Sequence, residues 1–326
     1  MIITRTPLRI SIGGGGTDLP SYYGQFGGFV VSAAISQYIF VSINRMFASG
    51  YTLKYSSLEN VQTVDEIRHP ILQEALRRYN GEGHIEIASI ADVPAGTGLG
   101  SSGTFTVGLL KALLAYKRKH VSAADLAEEA CDIEINVLRR SVGKQDQYIA
   151  AFGGLTSLDF RPDGSVTATP LAISNDTLLD LEHNLLMFFT GYSRNSIGVL
   201  NDQDKRSLEG DSSMIDNLHF VKQLGISSKE ALESGKTHCY AELMREHWEH
   251  KRARSHGMSN DQINRWHSVG MQNGALGGKL VGAGGGGYLL FYADDPMRVR
   301  RAMSQEGLNE LRFRFDHDGS TVLVRD

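Results

Sequence analysis

Cysteine is scarce: the 326-residue chain has two, Cys131 and Cys239, far apart in segments of helical periodicity. The pair reads as buried thiols of a reducing compartment and argues against a disulfide-stapled fold. Basic runs are also missing and the formal charge is −4, which speaks against general nucleic-acid binding. No stretch approaches the roughly 20 apolar residues of a membrane span, and the first residues lack a secretory pattern. No membrane partner and a cytoplasmic location are therefore expected. A Walker A loop is absent too, since Ser234-Gly235-Lys236-Thr237 has Glu230 where the first glycine belongs.

Glycine, by contrast, is abundant at 36 residues and clustered at 13–16, 96–103 and 282–287, and 41% hydrophobic content is enough for two domains with sizeable cores. The central cluster is Asp92-Val93-Pro94-Ala95-Gly96-Thr97-Gly98-Leu99-Gly100-Ser101-Ser102-Gly103. Before it, residues 84–90 alternate as a strand. After it, Phe105, Leu109, Leu110, Leu113 and Leu114 recur at helical spacing. A glycine-rich turn thus opens a helix, where free N–H groups and the helix dipole suit a phosphate, and a serine hydroxyl there suits Mg²⁺. A plain helix cap is the blander alternative. Gly98–Gly103 satisfies the dinucleotide fingerprint, but residues 91–97 intervene after the strand and 122–136 reads as helix, so an oxidoreductase is disfavoured.

The stretch resembles the central motif of the GHMP kinases, Pro-x-Gly-x-Gly-Leu-Gly-Ser-Ser, at Pro94, Gly96, Gly98, Leu99, Gly100, Ser101 and Ser102. Pro7, Arg9, Thr17 and Asp18 fall on that family's galactokinase signature, with Leu8 replacing its first glycine and Gly15-Gly16 replacing its Glu-His pair. This variant is similar to the heptose 7-phosphate kinase and fucokinase-like branch. Gly282–Gly287 corresponds to the family's C-terminal glycine motif, which also fits G-x-G-x-x-G but precedes a strand. The resemblance implies an α+β fold with a ribosomal-S5-domain-2-like N-terminal domain over 1–175 and a ferredoxin-like C-terminal domain over 176–326.

It also implies roles. Pro94, Gly96, Gly98, Leu99, Gly100, Ser101, Ser102 and Gly103, with Gly284, Gly285 and Gly286, would hold ATP. Ser102 and Glu134 would hold Mg²⁺. Asp146 would receive or orient the acceptor hydroxyl, with Arg9 offsetting charge, and Thr17 and Asp18 would grip sugar hydroxyls. Arg194 is a candidate substrate ligand, Lys144 would orient Asp146 or meet a substrate phosphate, and Arg139 and Arg140 are also available for that phosphate. The implied acceptor is D-glycero-D-manno-heptose 7-phosphate at its anomeric oxygen. A fucose-type sugar 1-kinase and a non-catalytic sugar sensor are the alternatives, and a homo-oligomer is left open.

Elsewhere, residues 29–35, 38–44 and 51–55 read as strands of a mainly antiparallel sheet, and 155–160 with 166–171 as a hairpin. Ser122 caps a helix running to Val137. Residues 311–315 and 321–324 read as a closing strand pair. His247 and His250 lack a His-Glu-x-x-His pattern and read as an exposed helix face, and Trp248 and Trp266 as core.

Overall fold

The computed structural model describes residues 1–80, 83–192, 197–254 and 257–325. The strand Ile2–Gly14 buries Leu8, Ile10 and Ile12 almost completely and pairs antiparallel with the long strand Gly28–Arg45. Each buried aliphatic side chain of this kind contributes about 2 kcal/mol of transfer free energy. Residues 29–35 and 38–44 are one strand, not two; an irregularity opposite Pro7/Leu8 marks where alternation suggested a break. The sheet has eight strands. From Gly28–Arg45 it continues through Ile85–Ala91 and Tyr51–Lys54 to Leu58–Val61, and the hairpin Leu155–Phe160/Val166–Pro170 joins the opposite end of the same long strand. All pairings are antiparallel except Tyr51–Lys54 with Ile85–Ala91.

A second, four-stranded antiparallel sheet holds Asn309–Glu310, Leu185–Phe189, Tyr288–Ala293 and Ala275–Leu280. The expected closing strand pair is therefore corrected. Residues 311–315 form no strand, only a bridge from Phe315 to Ile35; the short strand Asn309–Glu310 before them pairs with Leu185–Phe189, whereas Thr321–Arg325 crosses back to pair with Ile2–Arg5 in the first sheet. Strand alternation cannot report the partner, and here the two strands belong to different sheets.

Three helices position the site. Ser101–Tyr116 is buried on nearly every face, packed against the first sheet and the helices Ala123–Cys131 and Gln145–Phe152. Ser122 caps its helix as expected, by accepting from Asp125 N–H. Beyond Cys131, however, the chain widens into a π-type turn, Asp132–Val137, with Leu138 N–H donating to the Ile133 carbonyl. The helices Ser212–Glu233 and Thr237–Arg254 pack together, the first against the eight-stranded sheet and the second against Ala275–Leu280. Cys131 is buried but Cys239 is exposed, so only the first thiol meets the expectation. Trp248 is fully buried, and Trp266 packs against the second core. No described helix is long and apolar enough to cross a membrane.

Candidate active site

Gly96, Gly98 and Gly100 all have positive φ, which lets the loop coil above the helix start at Ser101. Together with Arg9, Asp18, Ser102 and Asp146 the loop lines a cleft of about 860 Å³. Ser101 Oγ is buried and has no hydrogen-bond partner among the described residues. An orphaned hydroxyl at a helix N-terminus fits an incoming phosphate oxygen. Pro94 lines the same cleft, and its carbonyl accepts from Thr97 Oγ1. Leu99 is fully buried and serves through its backbone, its carbonyl accepting from Arg9 N–H. Gly103 faces inward: a Cβ there would lie 2.7 Å from Asp146 Cβ, so it lets the helix Gln145–Phe152 approach.

That close approach places Asp146. Its Oδ1 accepts from Arg9 Nε at 2.7 Å and lies 2.6 Å from Arg9 Nη2, while Arg9 Nη1 donates to the Gly98 carbonyl. One guanidinium thus ties the carboxylate to the phosphate loop. Glu134 sits on the π-type turn, fully buried. Its Oε2 accepts from Ser102 Oγ at 2.5 Å, and its Oε1 accepts from Thr106 Oγ1 and Gln147 Nε2. Arg140 Nη1 lies 3.3 Å from Glu134 Oε2 and donates to Ser102 Oγ at 3.0 Å, so a cation already stands at this oxygen pair. A hydroxyl and a carboxylate are hard oxygen donors of the kind Mg²⁺ takes, with phosphate and water oxygens filling the other positions. Among the described residues no group of three His, Cys, Asp or Glu side chains could hold a metal by itself.

Asp18 is buried at the cleft edge. It accepts from Gly16 N–H at 3.0 Å and Gln145 N–H at 3.3 Å. Burial raises its pKa above the usual carboxylate value, and the nearby Asp146 charge adds to the shift.

Other expected residues are placed differently. Thr17 does not reach the cleft; its hydroxyl donates to the Phe29 carbonyl and accepts from Phe29 N–H, consumed by the neighbouring strand. Lys144 is spent structurally, donating to both Glu128 carboxylate oxygens and to the Gly164 carbonyl. Arg139 is exposed outside the cleft, and Arg194 lies outside the described residues. In the C-terminal glycine hairpin it is Gly282 and Gly287 that meet the loop, a Cβ falling 2.6 Å from Gly98 Cα at the first and against the Thr97 carbonyl oxygen at the second. Gly284 and Gly285 pack on Met258 and Gly286 on Tyr192, so these three do not line the cleft.

His247 is a further correction. It is buried on the cleft wall with Lys279 Nζ 3.3 Å from its Nδ1, while His250 stacks on Phe220. Burial and the neighbouring cations hold the His247 imidazole well below its ordinary pKa. Lys251, Arg254 and Lys279 also line that wall. Their charges at helix and strand positions gave no sequence signal, because such residues ordinarily face solvent.

Comparison with known proteins meets this geometry from both ends. The GHMP kinases N terminal domain matches residues 66–154 and the GHMP kinases C terminal domain matches 228–309. The chain belongs to the GHMP kinases. It is 30% identical to the D-glycero-alpha-D-manno-heptose 7-phosphate kinase of Campylobacter jejuni over 98% of this chain and 97% of that protein. The bifunctional fucokinase/GDP-fucose pyrophosphorylase of Arabidopsis thaliana is 27% identical over 90% of this chain, which spans 30% of that longer protein. Among solved structures, a D-glycero-D-manno-heptose 1-phosphate kinase from Bacteroides thetaiotaomicron superposes with a TM-score of 0.81 at 25% identity, covering all of both chains. This GHMP kinase is an ATP-dependent phosphotransferase with the α+β two-domain fold of its family.

Proposed function

We propose that this kinase transfers the γ-phosphoryl group of ATP to the anomeric hydroxyl of D-glycero-D-manno-heptose 7-phosphate, giving the 1,7-bisphosphate, in the cytoplasm. The observation that carries the reading is the Arg9–Asp146 pair held against the Gly98 carbonyl at the mouth of a glycine loop whose Ser101 hydroxyl is unpartnered. The relationship to the Campylobacter enzyme over nearly the whole of both chains supplies the acceptor.

Asp146 Oδ1 is committed to Arg9, while its Oδ2 has no hydrogen-bond partner among the described residues. That oxygen receives the hydroxyl proton or holds the hydroxyl in line for attack. Arg9 orients the carboxylate and offsets charge on the transferring group. The loop amides and Ser101 hold the phosphates, and Asp18 with the Gly13–Gly16 turn holds sugar hydroxyls. Ser102 and Glu134 would hold Mg²⁺, which when bound would neutralise phosphate charge, with Arg140 beside the same oxygen pair. Little covalent help is needed for phosphoryl transfer, so position and charge carry the rate.

An ADP-release assay with ATP, Mg²⁺ and a panel of heptose 7-phosphate, fucose, galactose and mannose tests the proposal. Turnover confined to the heptose phosphate is the expected result. Turnover on a free sugar would overturn the acceptor and favour a fucokinase-like activity. ATP binding without turnover on any sugar would point to a sensor.

A further inference from the structure

His247, Lys251 and Arg254 of the helix Thr237–Arg254, and Lys279 of the strand Ala275–Leu280, line one wall of the cleft. Each is more than nine-tenths buried. None forms an ion pair with a carboxylate among the described residues. Lys251 Nζ donates to the carbonyls of Leu280 and Gly282. Arg254 Nε donates to Asn217 Oδ1 at 2.8 Å and Nη1 to Gln203 Oε1 at 3.2 Å, while its buried Nη2 has no partner among the described residues. Burying a cation costs several kcal/mol unless an opposite charge repays it, and three such cations on one wall without one form an unfinished arrangement.

Gly16 explains how the guanidinium arrives there. A Cβ at Gly16 would lie 2.8 Å from Arg254 Nη1 and 2.9 Å from Gln203 Oε1, so any side chain would push both aside. Gly16, one of the two glycines that replace the galactokinase Glu-His pair, thus leaves room for a fixed cation. None of the hydrogen bonds of Arg254 goes to the phosphate loop; it sits over the Gly13–Gly16 turn, and the Asp18 charge acts on it. Its site is on the acceptor side of the cleft.

We infer that Arg254, backed by Lys251 and Lys279, is the subsite for a phosphate monoester carried by the sugar acceptor, and that it makes the cleft select sugar phosphates over free sugars. This deepens the sugar-kinase reading and rests on it. The planar guanidinium, with one donor pair unspent, suits bidentate capture of a phosphate. Burial depresses the pKa of all three cations in the free protein, Arg254 to about 10 and Lys279 to about 7, as expected of charges lacking their counter-ion.

The test compares heptose 7-phosphate with the same heptose lacking its phosphate, in the wild type and in Arg254→Met and Arg254→Lys. The wild type is expected to prefer the phosphorylated acceptor. Arg254→Met is expected to shrink that preference about 100-fold, mainly through acceptor KM, with Arg254→Lys restoring part of it. An equal loss on both acceptors, or a rise confined to the KM for ATP, would overturn the subsite. Turnover of free sugars alone would overturn it while leaving the kinase intact. If the wild type turns over neither heptose, thermal melting with other sugar phosphates decides. A rise in Tm that the free sugars do not produce and that Arg254→Met abolishes would support the subsite although the proposed acceptor had failed. No such rise would overturn both. Poor folding of the variants leaves the wild-type preference and melting shifts as the deciding readouts.

Discussion

The two walls of the cleft handle charge in opposite ways. On the phosphate-loop side Arg9 is paired with Asp146 and Arg140 with Glu134, and behind that wall Lys144 is paired with Glu128. On the facing wall Lys251, Arg254 and Lys279 have amides, carbonyls and an imidazole, but no carboxylate among the described residues. In the proposed reaction the matched wall holds the reacting groups in place before substrate arrives, and in the inferred subsite the unmatched wall leaves part of its electrostatic balance for a ligand to complete. Preorganisation suits the transfer step, and an incomplete counter-charge suits recognition of an anion.

Breaking the matched wall at its centre has the largest expected effect. Asp146→Asn keeps the shape but removes the charge; kcat is expected to fall about a thousandfold with ATP binding nearly intact, read by steady-state kinetics and nucleotide titration. An unchanged kcat would take Asp146 out of the transfer step. Next, Glu134→Gln is expected to weaken apparent Mg²⁺ affinity about 100-fold, with activity partly recovered at excess Mg²⁺. A Mg²⁺ titration that superposes on the wild type would assign Glu134 to packing alone.

Lys144→Met probes a matched pair remote from the chemistry. Stability is expected to drop by about 1–2 kcal/mol in denaturant unfolding, because Glu128 and the Gly164 carbonyl lose their donor. A raised acceptor KM without lost stability would return Lys144 to the substrate.

The smallest effect belongs to the unmatched wall. Lys279 is held near pH 7 in the folded protein against an ordinary 10.5, with His247 and Lys251 beside it. The unfolded chain therefore holds this proton more strongly between about pH 7 and 10.5, so the contribution of Lys279 makes stability rise with pH across that window. Below about pH 7 both states are protonated and the full penalty remains. Melting of Lys279→Met without ligand should show a weaker rise than the wild type; identical slopes would place the lysine in a wetter setting.

Much of the matched wall was legible in the linear chain. Pro94 to Ser102 is a local motif whose glycines shape the backbone that leads to Ser101 and Ser102 at the helix start, so spacing carries the geometry. Arg9, Glu134 and Asp146 followed from the family pattern, though not the π-type turn that carries Glu134. Thr17 and Lys144 were misjudged because their polar groups meet Phe29 and Glu128, partners that only chain packing brings near. His247 was read as exposed since a helix with polar faces does not announce which face the second sheet will cover.

By itself, then, the sequence determined the family, the α+β class and the glycine loop that opens the helix Ser101–Tyr116, because each rests on short-range backbone geometry or a contiguous motif. Tertiary structure alone decided which cations lose their water, that Gly16 makes room for Arg254, and that the last strand returns to the first sheet. Burial and charge balance are properties of what surrounds a side chain in space, and residues 16 and 254 become neighbours only when two sheets and the helices between them close on one another.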